Sequence, residues 1–310
     1  MKLHRAFVGF ALLTVAYLCL LLWADRGRGL FAGIERLAPL LPPLMLASLL
    51  AYALRFARWT WLLRRAGYRV GDGRGFVAYL SGLAFTATPG KVGELLRIRY
   101  FAPRGVPPER VVAAFVYERA FDLLAVLLLA SLAVQRPGLW LAALGFVAIF
   151  LVPVLIFAAR PKAMTRTAAW LRRHGARTPA RGLRILGRGL ALCRHWFTAA
   201  DAALALLLGL LAWGVTALSF VWLLHRLGVT ELNFASALSA YPLAMLAGAA
   251  SMLPGGLGST EAAIALLLGW HGVPVATATL AAVGIRLATL WFAIACGLLA
   301  VSWLEWRGPR

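Results

Sequence analysis

Negative charge is scarce in this chain. Eleven Asp and Glu stand against 32 Lys and Arg, for a formal net charge of +21. Charged residues of both signs make up only 14% and hydrophobic residues 62%, which leaves no room for a separate soluble domain. Cysteine is scarce too. Cys19 and Cys296 lie in apolar stretches and Cys193 in a basic one, none with metal-ligand spacing, so packing is the reading for all three. The five histidines (His4, His174, His195, His225, His271) are scattered, and neither a nucleophile elbow nor a nucleotide loop occurs. The expectation is no enzyme, no cofactor and no metal. A large basic excess is one signature of nucleic-acid binding. Here the charge is segregated by loop, which points to membrane topology and not to nucleic acid.

Long apolar runs are abundant. Ala6–Ala24, Leu37–Leu63, Arg110–Val134, Gly138–Ala159, Ala199–Leu224 and Pro274–Leu304 each approach or exceed the ~20 residues a membrane span needs. Lys2 and Arg5 ahead of the first run resemble a secretion signal. Leu22-Trp23-Ala24-Asp25 offers no small-x-small cleavage site, so a retained signal anchor is expected. The expected fold is an all-α integral membrane protein, one polytopic domain over 1–310.

Taken in order, these spans put 23 basic residues on one side and five (Arg26, Arg28, Arg36, Arg136, Arg226) on the other. The positive-inside rule makes the first side cytoplasmic and puts both termini there. Lys91, Arg97, Arg99 and Arg104 are counted on that side, with ten more from a basic cytoplasmic loop at 160–198 that holds no acid. Each basic group near an anionic leaflet contributes about 1 kcal/mol of attraction.

One signature occurs twice. Pro89-Gly90-Lys91-Val92-Gly93-Glu94, Gly105-Val106-Pro107 and Arg119 are echoed by Pro254-Gly255-Gly256-Leu257-Gly258 with Glu261, Gly272-Val273-Pro274 and Arg286. Trp61–Gly67 likewise matches Trp222–Gly228. The segments carrying the Pro-Gly pairs, Gly75–Ala102 and Phe234–His271, are apolar but interrupted. Gly75–Thr88 would span only about 21 Å as helix, short of a ~30 Å core. Two re-entrant hairpins are therefore predicted, broken at Thr88-Pro89-Gly90 and Leu253-Pro254-Gly255. With six full spans they make two inverted-topology repeats, 1–134 and 138–304. The first hairpin enters from the cytoplasm and the second from outside.

Four sets of residues are candidates for chemistry. Glu118, Arg119 and Asp122 share one helix at spacings that bring them together. Three ionised groups at membrane depth need partners or water, so they form either a self-contained cluster pinning the hairpin or part of a site. Arg286 sits deep in an apolar helix, open to a salt bridge with Glu261, to an anionic substrate, or to snorkelling. Gly90, Gly93, Gly255, Gly256 and Gly258 let backbone approach an anion, with Ser259 and Thr260 as hydroxyl donors. A helix restarting after each break would aim N–H groups at it. The alternative is that these glycines only permit tight turns and close packing. Arg55 and Arg58 share a helix face, and either snorkel to headgroups or face the site.

The blocks Leu54-Arg55-Phe56-Ala57-Arg58-Trp59, Thr88–Glu94, Glu118-Arg119-Ala120-Phe121-Asp122 and Leu253–Glu261, in that order, resemble the lysylphosphatidylglycerol synthetase transmembrane, or flippase-like, family. That family includes the membrane half of the multiple peptide resistance factor. The resemblance implies an inner-membrane protein linked to translocation or modification of phospholipid or polyprenyl lipid. These 310 residues carry no aminoacyltransferase domain, so lysyl transfer is not implied. The expected function is translocation of an anionic phospholipid or polyprenyl-phosphate-linked lipid. Arg119, Arg286, Lys91, Arg55, Arg58, the five glycines, Ser259 and Thr260 would bind the headgroup. Glu94, Glu261, Glu118 and Asp122 would serve as coupling or ion-pair groups. The alternative is a non-transporting subunit that presents lipid to a partner glycosyltransferase or phospholipid-modifying enzyme.

Overall fold

The computed structural model describes residues 35–132, 137–159 and 161–307, and among them there are helices and no strands. α1 (Leu41–Arg65) follows a short 3-10 turn and has prolines in its first turn, where their missing N–H costs nothing. Counted from Glu35, this helical run is 31 residues long. It ends where Gly67 turns left-handed at φ 90° and Tyr68 N–H returns to Leu63 O. α2 (Gly73–Leu80) is short, capped by Asp72, and continues as a 3-10 turn over Ser81–Phe85. After the first Pro-Gly break the chain runs 3-10 over Pro89–Leu96, then through the single turn α3 (Arg97–Phe101). α4 (Pro108–Ser131) and α5 (Pro137–Ala159) follow, then α6 (Pro161–Arg173) and α7 (Arg177–Cys193). α8 (Ala199–Arg226) leads to α9 (Phe234–Ala250), the second break and α10 (Ser259–Gly269). Last, α11 (Val275–Arg286) passes through a π-helical turn, Leu287–Trp291, into α12 (Phe292–Arg307).

Three helical runs, Glu35–Arg65, Ala199–Arg226 and Val275–Arg307, are long and apolar enough to cross a membrane. They carry three of the expected spans, Leu37–Leu63, Ala199–Leu224 and Pro274–Leu304. Arg110–Val134 falls on α4, which has the length but carries Glu118, Arg119 and Asp122. Gly138–Ala159 coincides with α5. Ala6–Ala24 and Cys19 lie outside the described residues. Large apolar side chains on outer faces, Leu46, Leu207 and Leu299 among them, are more than half exposed, as lipid-facing positions must be.

The 160–198 segment is not a loop. Met164 and Ala168 of α6, and Ala180, Gly187 and Leu190 of α7, are buried at helical spacing, while most of the arginines face outward. α7 lies against α4 so closely that a Cβ at Gly189 would come within 2.9 Å of the Val112 side chain. Cys193 is buried there, its Sγ 3.4 Å from Ala113 O, in the packing role expected of it.

Two apolar cores flank the centre. One joins α1, α4, α8, α9 and α11 through Leu44, Ala125, Phe220, Tyr241 and Ala281. The other joins α1, α2, α3, α4 and the α7–α8 corner through Trp59, Tyr79, Phe101, Tyr117 and Trp196. α12 presses Gly297 onto the Ser81–Phe85 turn, where any Cβ would meet Ala84 N at 2.0 Å. That contact holds the turn against α12.

Candidate functional site

The two breaks follow the same backbone course. Thr88 and Leu253 are extended (φ −66°, ψ 147° and φ −68°, ψ 146°), and each precedes a proline, which disfavours helix. Gly90 and Gly255 are left-handed at φ 62° and 61°. The next residue stays left-handed in both: Lys91 at φ 56° and Gly256 at φ 64°. Glycine adopts this conformation freely, whereas for lysine it costs about 1–2 kcal/mol. The breaks lie side by side, since a Cβ at Gly255 would be 3.4 Å from the Ala87 Cβ.

Beyond the first break the expected helix restart is absent, and the chain tightens into a 3-10 turn instead. Gly93 is the cause. Its N–H donates to Thr88 Oγ1 at 2.7 Å, and it packs on Phe85 where a Cβ would sit 2.5 Å from the Phe85 Cβ. This turns Glu94 inward. Beyond the second break an α-helix does start, at Ser259.

Behind the first break lies an ion cluster of three acids and three arginines. Arg58 Nη2 reaches Asp122 Oδ1 at 2.6 Å and Glu118 Oε1 at 3.4 Å. Arg97 reaches Glu94 at 3.1 Å and Glu118 at 3.4 Å. Arg119 reaches Asp122 at 3.0 Å and Glu118 at 3.7 Å, with Glu94 at 4.0 Å. Arg58, Arg97, Glu94 and Glu118 are all 2% exposed or less. Tyr79 OH donates to Glu118 Oε1 at 2.8 Å, Arg97 Nε donates to Tyr79 O at 2.9 Å, and the Arg97 guanidinium lies 3.9 Å over the Tyr79 ring. Buried charges persist only when paired and hydrogen-bonded in this way. The cluster ties α1, the 3-10 turn Pro89–Leu96, α3 and α4 together.

Behind the second break there is one pair. Arg286 Nε donates to Glu261 Oε1 at 2.9 Å, and its Nη2 donates to Gly255 O. The π-helical turn that follows Arg286 carries Thr289, whose hydroxyl meets Tyr241 OH at 3.1 Å.

Both breaks border one cavity of about 270 Å³. Of the residues singled out by sequence, Arg55, Gly90, Lys91, Arg119, Asp122, Gly255, Gly256, Thr260 and Arg286 line it. Gly93, Glu94, Glu118, Arg58, Gly258, Ser259 and Glu261 do not. Ser259 is turned away, bonded to Ser251 Oγ at 2.8 Å and Gly256 O at 3.1 Å. Snorkelling fails for Arg58 and Arg286, each 1% exposed and engaged with acids inside the protein. Arg97 also departs from expectation: it was counted with the cytoplasmic loop charges, yet it is 1% exposed. Its spacing of three from Glu94 was the available signal. Arg55 does line the cavity, with its guanidinium 4.9 Å over the Trp213 ring. Ser48, Tyr52, Trp213, Tyr241 and Thr289 complete much of the wall and carried no signal in the sequence.

The profile of the family described as Lysylphosphatidylglycerol synthase TM region matches residues 7–297. The chain belongs to that family. Nothing among the curated proteins matches it. The match takes in both breaks, the ion cluster and every residue of the cavity. Membership in the Lysylphosphatidylglycerol synthase TM region, with three helical runs fit to cross a membrane, makes this a membrane protein with a lipid-related function.

Proposed function

We propose that this member of the Lysylphosphatidylglycerol synthase TM region translocates an anionic lipid across the bacterial inner membrane without covalent chemistry. The observation that carries the reading is the shared cavity. Two irregular breaks of like conformation meet at one cavity whose wall mixes cations with Leu83, Leu123, Val126, Leu246 and Leu290. A polar headgroup and an apolar chain both find surface there. Irregular backbone at membrane depth is tolerated where it lines such a cavity.

In this reading the chain is two inverted repeats, 1–134 and 138–304, with six spans, two re-entrant hairpins and both termini in the cytoplasm. Alternating access comes from rocking one half against the other about the paired breaks. The matching ends of α1 and α8 support duplication: Gly67 and Gly228 close them at φ 90° and 86°. The basic faces of α6 and α7 lie on the anionic inner leaflet.

Reconstitution into liposomes with headgroup-labelled lipids tests the reading. Leaflet exchange faster in vesicles holding the chain than in empty ones, and slowed in Arg286→Ala, is expected. Rates equal to empty liposomes overturn it. If lipid modification by a partner enzyme nevertheless requires the chain, a subunit that presents lipid to that enzyme takes its place.

A further inference from the structure

The acids in and around the cavity are each paired with an arginine. Glu94, Glu118 and Asp122 balance Arg58, Arg97 and Arg119, and Glu261 balances Arg286. Two cations on the wall have no such partner among the described residues. Lys91 makes no side-chain hydrogen bond or ion pair, and Arg55 has only the face of Trp213. The lining hydroxyls offer no free donor of this kind. Ser48 donates to Ala288 O, Tyr52 to Thr289 O, Thr86 to Glu94, Thr88 to Phe85 O and Thr216 to Ala212 O, all committed to the protein. Thr260 Oγ1 is closed off from the cavity, fully buried between Gly248 and Gly256, where a Cβ would approach it within 2.0 and 2.6 Å.

We propose that Arg55 and Lys91 form the headgroup site of this cavity, and that the group it takes is a lipid's terminal phosphate monoester. Two uncompensated positive charges call for about two negative ones. A phosphate monoester carries about −1.5 to −2 at neutral pH with three acceptor oxygens, whereas a phosphodiester carries one charge. Arg55 supplies a planar fork for two oxygens and Lys91 a point charge. Arg119 and Arg286 act as struts that hold the breaks. The lipid part of the assignment rests on the translocase reading, and the phosphate part on the charge balance.

The backbone supplies a clean variant. Lys91 occupies the left-handed position that Gly256 holds in the other break, so Lys91→Gly removes the cation and relieves strain together. The full chain in phosphatidylcholine nanodiscs, doped equally with phosphatidic acid and phosphatidylglycerol, is read by mass spectrometry of the retained lipid. Wild type should retain phosphatidic acid over phosphatidylglycerol by roughly tenfold or more, the value of one or two charge-assisted bonds. Lys91→Gly and Arg55→Gln should each bring the ratio towards one, with no fall in the thermal midpoint of Lys91→Gly, and Lys91→Arg should keep the preference.

Equal retention by wild type overturns the assignment, as does a preference that survives both substitutions. Inorganic phosphate is titrated calorimetrically in detergent as a second arm. Binding as tight as phosphatidic acid's would overturn the lipid source and leave a free-phosphate site. A preserved preference without leaflet exchange sinks translocation and leaves this site standing; exchange without the preference does the reverse.

Discussion

The two Pro-Gly breaks share their backbone angles to within a few degrees from Thr88/Leu253 to Gly90/Gly255, yet their surroundings differ sharply. Behind the first, six ionised side chains from four elements interlock. Behind the second, one arginine meets one glutamate and a carbonyl. The backbone course is therefore set locally, by proline following an extended residue and by glycine, and needs no particular charge beside it. What the charges decide is how firmly each break is held. Removing one member of a buried ion pair costs about 3–5 kcal/mol, because the remaining partner stays buried and uncompensated. The first break has several such dependencies and the second one. Under the rocking motion proposed above, the less tethered break is the one free to shift.

The largest expected effect follows directly. Arg97→Met strips partners from Glu94 and Glu118 at once and should lower stability by about 3–5 kcal/mol. Arg286→Met abandons one acid, Glu261, whose side chain keeps 12% exposure, and the Gly255 carbonyl, and should cost about 1–3 kcal/mol. Thermal midpoints of the two variants in detergent compare them. Equal shifts would break the distinction between a rigid and a loose break.

A middle-sized effect separates the breaks by sterics. A methyl at Gly93 would meet Phe85 O at 2.6 Å as well as the Phe85 Cβ, in a wall that cannot yield cheaply. Gly93→Ala should cost about 1–3 kcal/mol, as overpacking does. At Gly258 the same methyl finds open space, and only the φ of 79° opposes it. Gly258→Ala should cost about 1 kcal/mol. A Gly258→Ala chain no more stable than Gly93→Ala would show that the left-handed strain at Gly258 costs as much as the overpacking at Gly93.

The legible parts of this molecule are those in which one residue type has one physical use. Pro-Gly inside an apolar run announced each break, and Arg286 with Glu261 announced the pair, because neither charge has another partner on its own helix. Arg97 was illegible as a buried group. It lies among Arg99 and Arg104, and a run of cations beside an apolar segment reads equally well as loop charge until the 3-10 turn carries its side chain inward. The 3-10 geometry hides in the sequence as well, since it depends on Gly93 meeting Phe85. By contrast, the helices of 160–198 were recoverable: Met164 and Ala168, then Leu183, Gly187 and Leu190, repeat at helical spacing through a basic segment. Basic density alone suggested a loop.

The smallest effect concerns where each hairpin begins. α2 is capped by Asp72, whose Oδ1 accepts from Gly75 N at 2.9 Å and from Arg104 Nη2 at 2.5 Å. α9 is capped by the neutral Asn233, which accepts from Ala235 N at 2.8 Å. Burial pushes the Asp72 carboxyl upward, but the bonds from Arg104 and Gly75 outweigh it and hold the group below the usual aspartate range. A carboxyl depressed in the folded state stabilises above its unfolded pKa, near 4, and loses that contribution as pH falls through the lower folded value. The side chain is 54% exposed, so solvent screening keeps the contribution within about 1 kcal/mol. Asp72→Asn makes the first cap resemble the second. Its midpoint should fall slightly below wild type at pH 7, with the gap narrowing at pH 3 as the wild-type carboxylate begins to protonate. A gap that stays constant with pH would mean that the cap's geometry matters and its charge does not, and the two hairpin entrances would then be equivalent.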